Sequence, residues 1–240
     1  MLDMAAQPFE AVSDSDIRTD LVAQRTQAMF TDCLHSFHAF GALTELAENL
    51  RILSLNAELA AGRAGDKGRA VRALTQYTRE LVNRLKQIET ETSLLMSRTY
   101  EQIAMIMREL HQIRLLEQAI RELRRASTTA QPTVHKARQG LLKPLVENAN
   151  ALLDGVERLT ARAHVVGEVV SAAASIATNI AIEAAGAGVH EAEFRNVADT
   201  MRRYVIELRD MTDKAASAAR SAATKGDDLR GLRLNTGQTS

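Results

Sequence analysis

Apolar residues in the second half of the chain recur at alternating spacings of four and three residues, without interruption. The run begins at Leu145, passes through Leu152, Leu159 and Val166, and ends at Ala184. This spacing places the apolar side chains along one face of an α-helix. When it is sustained over such a length, it is typical of helices that pack side by side along a straight seam. The pattern therefore predicts a long helix with helical neighbours.

Three further segments carry the same spacing, and polar residues interrupt it in the second of them. They cover residues 46–64, 74–123 and 194–222, and the phase of the first segment shifts upstream, within residues 30–40. Three prolines, no tryptophan and 3% aromatic residues stand beside 25% charged residues, which is a composition typical of long helices. An average globular core would need more large aromatic side chains, whereas a bundle can use one layer of Leu, Ile, Val and Ala. We therefore predict an all-α fold.

Two glycine-containing turns and one small polar stretch interrupt the helical pattern. The first turn is predicted at 65–68, with Gly65 and Gly68, and the second at 186–190, with Gly186 and Gly188. The polar stretch lies midway between them, and its proline is expected to end the second helix. The predicted organisation consists of a flexible N-terminus 1–15, a first helical hairpin 16–125, a linker 126–133, a second helical hairpin 134–225 and a disordered tail 226–240.

The two hairpins have arms of equal length, about 55–60 residues, or roughly 80–90 Å at a rise of 1.5 Å per residue. Hairpins with equal arms, joined at their open ends, can lie side by side with both glycine turns at one end. We predict one domain, an elongated antiparallel four-helix bundle or coiled coil made of two tandem helical hairpins. Because both hairpins belong to one chain, the bundle is expected to be monomeric.

Charge and cysteine content exclude several classes of protein. Thirty basic residues balance thirty acidic ones, so no net charge attracts the chain to nucleic acid or to an anionic membrane. The single cysteine excludes an internal disulfide framework and fits a reducing compartment. The N-terminus lacks a secretory signal pattern, and the most apolar window, 165–189, contains Glu168 and Glu183 and is too polar for a membrane span. We expect a cytoplasmic protein.

Motifs for catalysis and cofactor binding do not stand out. No Ser-His-Asp pattern, phosphate-binding glycine loop or paired-carboxylate pocket is apparent, so we expect neither an enzyme nor a cofactor. Cys33, His35 and His38 are weak candidates for a metal site, since two histidines three residues apart share a helical face. Structural zinc usually needs four ligands and no second cluster is apparent, so packed or solvated side chains are the preferred interpretation.

The two glycine turns belong to an internal repeat with one constant offset. A repeat of this kind indicates that two copies of one supersecondary unit make up the chain. The paired positions include Asn56 with Asn179, Ala61 with Ala184, Gly65 with Gly188 and Arg79 with Arg202.

Both copies resemble the cytoplasmic tip of bacterial methyl-accepting chemotaxis receptors. The first copy keeps the turn half of that signature at 63–69, Arg-Ala-Gly-Asp-Lys-Gly-Arg. The second keeps Glu-Ala-Ala at 183–185 and Phe-Arg-Asn-Val-Ala-Asp at 194–199. Receptors of this family carry the tip once per chain, and two chains together form a four-helix bundle. The resemblance therefore implies a covalent pseudo-dimer of a receptor signalling tip.

The resemblance also implies partners and the residues that contact them. Receptor tips bind a chemotaxis histidine kinase, its coupling protein and neighbouring receptors, and they do no covalent chemistry. The positions that match the family's contact surface are Ile52, Leu53, Leu55, Asn56, Arg63, Asp66 and Arg69 in the first copy, and Ile176, Asn179, Glu183, Phe194 and Asn196 in the second.

Structural alternatives exist for several of these positions. Leu53, Ile176 and Val197 could be ordinary core residues. Asn56 and Asn179 could be buried polar residues that fix the register between helices. For the chain as a whole, the alternative is a structural helical-bundle scaffold that has no link to chemotaxis arrays.

Departures from the family's pattern restrict what the tip is expected to do. Ala60 replaces a glutamate of the signature, and Gly186 replaces its arginine. Each tip thus lacks part of the charged set through which receptors associate, so we expect no receptor-like trimers. No correctly flanked Glu or Gln pair marks a methylation site, so we expect no methylation either.

Overall fold

The computed structural model describes residues 14–125 and 131–234, which are almost entirely helical. No strand occurs within these two ranges. The prediction of an all-α helical bundle is confirmed. The helices are α1 (Asp14–Ala39), α2 (Leu43–Arg63), α3 (Arg69–Arg125), α4 (Gln131–Gly186) and α5 (Glu191–Leu234), with short 3₁₀ turns at Phe40–Ala42, Gly65–Gly68 and Gly188–His190.

The bundle has four helical arms. α1 and α2 together form one arm, because they follow each other along the same two neighbouring helices. Both contact α3 on one side and α5 on the other, while α4 contacts α3 and α5. The register against α3 continues from α2 into α1: Lys86 Nζ lies 3.8 Å from Glu48, and Arg114 pairs with Asp20. Since later residues of α3 meet earlier residues of α1 and α2, this pair of arms is antiparallel.

The core follows the apolar seam that the sequence predicts. On α4, Leu152 and Val166 are fully buried and Leu159 is almost so, and the small side chains of Ala173 and Ala177 fill positions nearer the turn. The buried residues of all four arms form one continuous apolar cluster. Because alanine side chains are small, the helix backbones can approach each other closely at this end of the bundle.

A 3₁₀ turn at Phe40–Ala42 separates α1 from α2. It coincides with the predicted phase shift within residues 30–40. Phe37 and Phe40 are buried on the N-terminal side of the turn and Leu43 on the other side. The tighter winding of the 3₁₀ turn rotates the following helix, so that both segments direct apolar side chains into the core.

Hydroxyl groups supply most of the buried polar contacts of the core. Ser36 Oγ donates to the carbonyl of Ala215 at 2.9 Å and thereby joins α1 to α5. Ser54 Oγ donates to the carbonyl of Thr75 at 3.1 Å and joins α2 to α3. Because these two short hydroxyl side chains reach a backbone carbonyl within the core, both are buried without an unpaired donor.

Two predicted boundaries are wrong. α4 begins at Gln131, so Pro132 lies in the first turn of that helix and does not end the preceding one. Proline is tolerated there because the first turn needs no backbone N–H donor. Residues 126–130, the remainder of the predicted linker before α4, lie outside the described ranges.

The second wrong boundary is the start of the C-terminal tail. α5 continues to Leu234, although a disordered tail was predicted from residue 226. Gly226 is buried beside Leu153, and Lys225 forms a 2.5 Å ion pair with Asp32 of α1. These contacts extend the helix beyond its last clear apolar repeat. Residues 235–240 lie outside the described ranges, as do residues 1–13 of the predicted flexible N-terminus.

α4 also contains a long apolar segment. Within 136–186, an 18-residue window reaches a mean hydropathy of 1.6, and 39% of that window is buried. Length and composition alone would suit a membrane span, but core helices of bundles meet the same criteria. The apolar seam of α4 faces its neighbouring helices, so the window is weak evidence for a span.

Candidate functional site

The two glycine turns lie at the same end of the bundle, which we call the tip. Both contain a glycine in the left-handed conformation. Gly65 follows the end of α2 with φ 59°, and Gly188 follows the end of α4 with φ 64°. A glycine in the left-handed region just past a helix terminus stops the helix and redirects the chain. Other residues lose roughly 1–2 kcal/mol in that conformation. The glycines that the repeat pairs with each other thus play the same structural role.

The first turn is tighter than a left-handed glycine alone would require. A Cβ atom on Gly68 would lie 2.0 Å from the carbonyl oxygen of Ala61. Only glycine therefore lets the start of α3 approach the end of α2 so closely. The repeat places Glu191 at the equivalent position of the second turn, where a side chain is present.

Groove one, as we call it, is an open groove of about 450 Å³ between α2 and α5, next to the turns. Apolar and neutral polar side chains make up most of its surface. Its lining consists of Asn49, Ile52, Leu53, Asn56, Leu59 and Arg63 from α2, with Glu193, Asn196, Val197, Thr200 and Tyr204 from α5.

The charges of groove one are paired with each other. Arg63 of α2 forms an ion pair with Glu193 of α5 at the end of the groove nearest the turns. His190 Nδ1 lies 3.7 Å from the same carboxylate. An exposed pair of this kind adds little stability, but it leaves groove one without an uncompensated charge.

Groove two, as we call it, is an open groove of about 470 Å³ at the tip, between the start of α3 and the end of α4. Its lining consists of Asp66, Lys67, Arg69, Ala70, Ala73, Glu183 and Gly186. Asp66 and Arg69 pair with each other at 2.9 Å. No ion pair joins Lys67 or Glu183 to another group in the described part of the chain.

The repeat relates the two grooves, because it pairs α2 with α4 and α3 with α5. Their chemistry nevertheless differs. Groove one has an ion pair and an amide at positions where groove two has a glycine and two alanines. The equivalent positions are Arg63 with Gly186, Glu193 with Ala70 and Asn196 with Ala73.

Most of the predicted partner residues lie on the surface of the tip. Ile52 is 45% exposed and Leu55 is 39% exposed. Glu183 is half-buried. The predicted polar residues with exposed side chains are Asn56, Arg63, Asp66, Arg69, Asn179 and Asn196.

Three predicted partner residues are corrected to core positions. Phe194 is fully buried, and Ile176 and Leu53 are only 7% and 9% exposed. All three belong to the buried apolar cluster between the helices. Leu53 still borders groove one, but Phe194 and Ile176 can affect a partner only through the packing beneath the surface.

The alternative role of Asn56 and Asn179 is also wrong. Both side chains are exposed, so neither is a buried polar residue that fixes the register between helices. The buried hydroxyl contacts of Ser36 and Ser54 link the helices instead.

The sequence analysis missed a pair of exposed aliphatic residues. Leu59 is 65% exposed and Ile182 is 64% exposed, and the repeat pairs them with each other. The signal for them was present: each is a large aliphatic residue outside the four-three spacing, at the same position of both copies. Glu193, the ion-pair partner of Arg63, was also missed, because it comes from the other copy.

The candidate metal ligands do not converge. Cys33 is buried in the core, whereas His35 and His38 are exposed. Burial, together with the nearby Asp32 carboxylate, raises the pKa of the Cys33 thiol to about 12, so it stays protonated at neutral pH. No group of three His, Cys, Asp or Glu side chains suited to a metal ion occurs within residues 14–125 and 131–234.

A scan against protein-family models found no match to this chain, and searches of curated proteins and of solved structures found none either.

Proposed function

We propose that this chain is a chemoreceptor-like signalling or adaptor protein that acts in the cytoplasm. In this proposal, the tip of the bundle binds a chemotaxis-type histidine kinase, its coupling protein, or both, and chemoreceptors are further candidate partners. The chain has no catalytic role of its own. The proposal rests on the resemblance of both copies of the repeat to the receptor tip, and the geometry of the tip supports it.

One observation carries the proposal furthest. Residues that match the family's contact surface in the two copies, Ile52 and Asn56 in α2 and Asn196 in α5, line the same groove. A groove with exposed aliphatic side chains and a polar rim is typical of protein–protein contacts. A scaffold that used its turns only to reverse the chain would need no such surface at this end.

The pseudo-dimer interpretation belongs to the same proposal. The repeat pairs Gly65 with Gly188, which share a left-handed conformation, and Leu59 with Ile182, which share the same exposure. We infer that the chain corresponds to two receptor-like hairpins fused in tandem and that it forms a monomeric coiled-coil bundle.

The structural scaffold remains the second candidate, and one observation favours it. Phe194 and Ile176, two of the predicted contact positions in the second copy, are buried and serve packing. Part of the resemblance therefore reflects the requirements of the core, which any helical bundle shares.

Capture experiments distinguish the two candidates. The full chain should co-purify with a kinase and coupling protein pair from the same organism. Asn56→Arg should weaken capture by about tenfold or more, the effect of losing a central contact. Gln112→Arg is the control, because Gln112 is also exposed but lies on α3 far from the turns. Absence of capture of the unmodified chain would favour the scaffold.

A further inference from the structure

We propose that the tip has a single docking groove, and that groove one accepts an uncharged aliphatic surface of the partner protein while groove two does not bind it. This inference rests on the proposed function, since it concerns the same partner. It goes beyond that function because it assigns one of two repeat-related surfaces and states the chemistry of its occupant.

The first argument is the charge balance of the two grooves. In groove one the only charged lining residues, Arg63 and Glu193, pair with each other, and the remaining polar groups are amides and hydroxyls. A charged side chain entering it would lose water without gaining an ionic partner, which is unfavourable. An uncharged occupant has no such cost, and its backbone groups can pair with Asn56 and Asn196.

The charges of groove two have the opposite consequence. Lys67 and Glu183 both line it, and neither has an ion-pair partner in the described ranges. An aliphatic occupant would displace water from these charges without replacing its hydrogen bonds. Groove two therefore disfavours the occupant that groove one accepts.

The second argument is the position of the exposed aliphatic side chains. Groove one contains Ile52 and Leu59, which are 45% and 65% exposed. At the positions that the repeat pairs with them, the other copy has Ser175 and Ile182, and neither lines groove two. Only groove one thus combines apolar contact area with a neutral rim.

A matched pair of variants tests the assignment. Leu59→Lys and Ile182→Lys make the same change at repeat-related positions of equal exposure, so both should leave the melting temperature unchanged. Affinity would be measured with the immobilised kinase and coupling protein pair. We expect Leu59→Lys to weaken binding at least about tenfold, and Ile182→Lys to change it less than about twofold.

A second pair, Asn196→Glu and Ala73→Glu, repeats the comparison at another set of equivalent positions and should give the same order. If the members of both pairs weaken binding equally, or if Ile182→Lys and Ala73→Glu have the larger effect, the assignment to groove one is wrong. The proposed function would survive that result, because the unmodified chain would still bind. Only a failure of the unmodified chain to bind would remove the proposed function itself.

Salt dependence tests the chemistry of the occupant. Binding of the unmodified chain should change less than about threefold between low and high salt, since contacts between neutral groups are not screened. A weakening by about an order of magnitude or more would show that the partner presents charges to the tip. That result would overturn the proposal of an uncharged occupant.

Discussion

Gly68 is the residue at which the first turn tolerates least change. An added methyl group would meet the backbone oxygen of Ala61, which cannot move without shifting α2. We expect Gly68→Ala to lower the free energy of unfolding by about 1–3 kcal/mol, as for other overpacked sites. Gly62→Ala is the control, because nothing lies within 4 Å of its Cβ and alanine favours the helix. Urea denaturation should show the two variants changing stability in opposite directions.

Asp32 gives the bundle a pH dependence of known sign. Burial alone would raise the pKa of its carboxyl group, but hydrogen bonds from Lys225 and Ser221 outweigh burial and lower the pKa below 3.8. A lowered folded-state pKa stabilises the protein above the unfolded value and ceases to do so as the pH falls through the folded value. Asp32→Asn should therefore cost about 1 kcal/mol at pH 7 and less near pH 3.

Thermal unfolding of the unmodified chain and of Asp32→Asn, each at pH 7 and at about pH 3, would measure the stability loss at both pH values. Lys225→Met provides the complementary control, because it removes the partner and leaves the carboxylate. A stability loss for Asp32→Asn that is the same at both pH values would mean that the ion pair between α1 and α5 is not its cause.

At the scale of the helix, α4 separates positions that serve the core from positions that face solvent. Val170 is 4% exposed, and its neighbour Ser171 is exposed. Val170→Asp would place an unpaired charge between helices and should destabilise the bundle by about 3–5 kcal/mol. Ser171→Asp should change stability by about 0.5 kcal/mol or less. Similar melting temperatures for the two variants would contradict the assignment of the seam.

Helix faces could be predicted from the sequence because the spacing of apolar residues is a local property. Leu152, Val166 and Phe194 lie on the predicted seam and are buried. The resemblance to receptor tips placed Phe194 in a contact surface, whereas its spacing placed it in the core, and the spacing was correct. The spacing of apolar residues reflects how this chain packs. A family motif, in contrast, contains core residues as well as contact residues, so a match to it does not show which of its positions are exposed.

The composition of groove one could not be predicted in the same way. Arg63 and Glu193 meet only because α2 and α5 pack in one particular register. That register depends on both turns and on the 3₁₀ turn at Phe40–Ala42, which rotates α2 relative to α1. Contacts between helices far apart in the sequence therefore needed the three-dimensional structure.

At the scale of the whole molecule, the two copies of the repeat depend on each other. α3 packs on α4, and both α1 and α2 contact α5, so each half of the chain buries its seam against the other half. Ion pairs also cross between the halves, including Arg84 with Glu168 and Lys225 with Asp32. Because both halves belong to one chain, such contacts can differ on the two sides of the bundle.

We therefore expect the bundle to survive a cut between its halves. A chain cleaved within 126–130 gives fragments that contain α1 to α3 and α4 to α5, and these should elute together as one complex. Burial along the seams does not require a covalent connection, and the ion pairs between halves favour the mixed complex over pairs of identical fragments. Size-exclusion chromatography with light scattering measures the mass of the complex. Fragments that elute separately, or that form only dimers with themselves, would show that the connection between α3 and α4 is needed to hold the two copies in register.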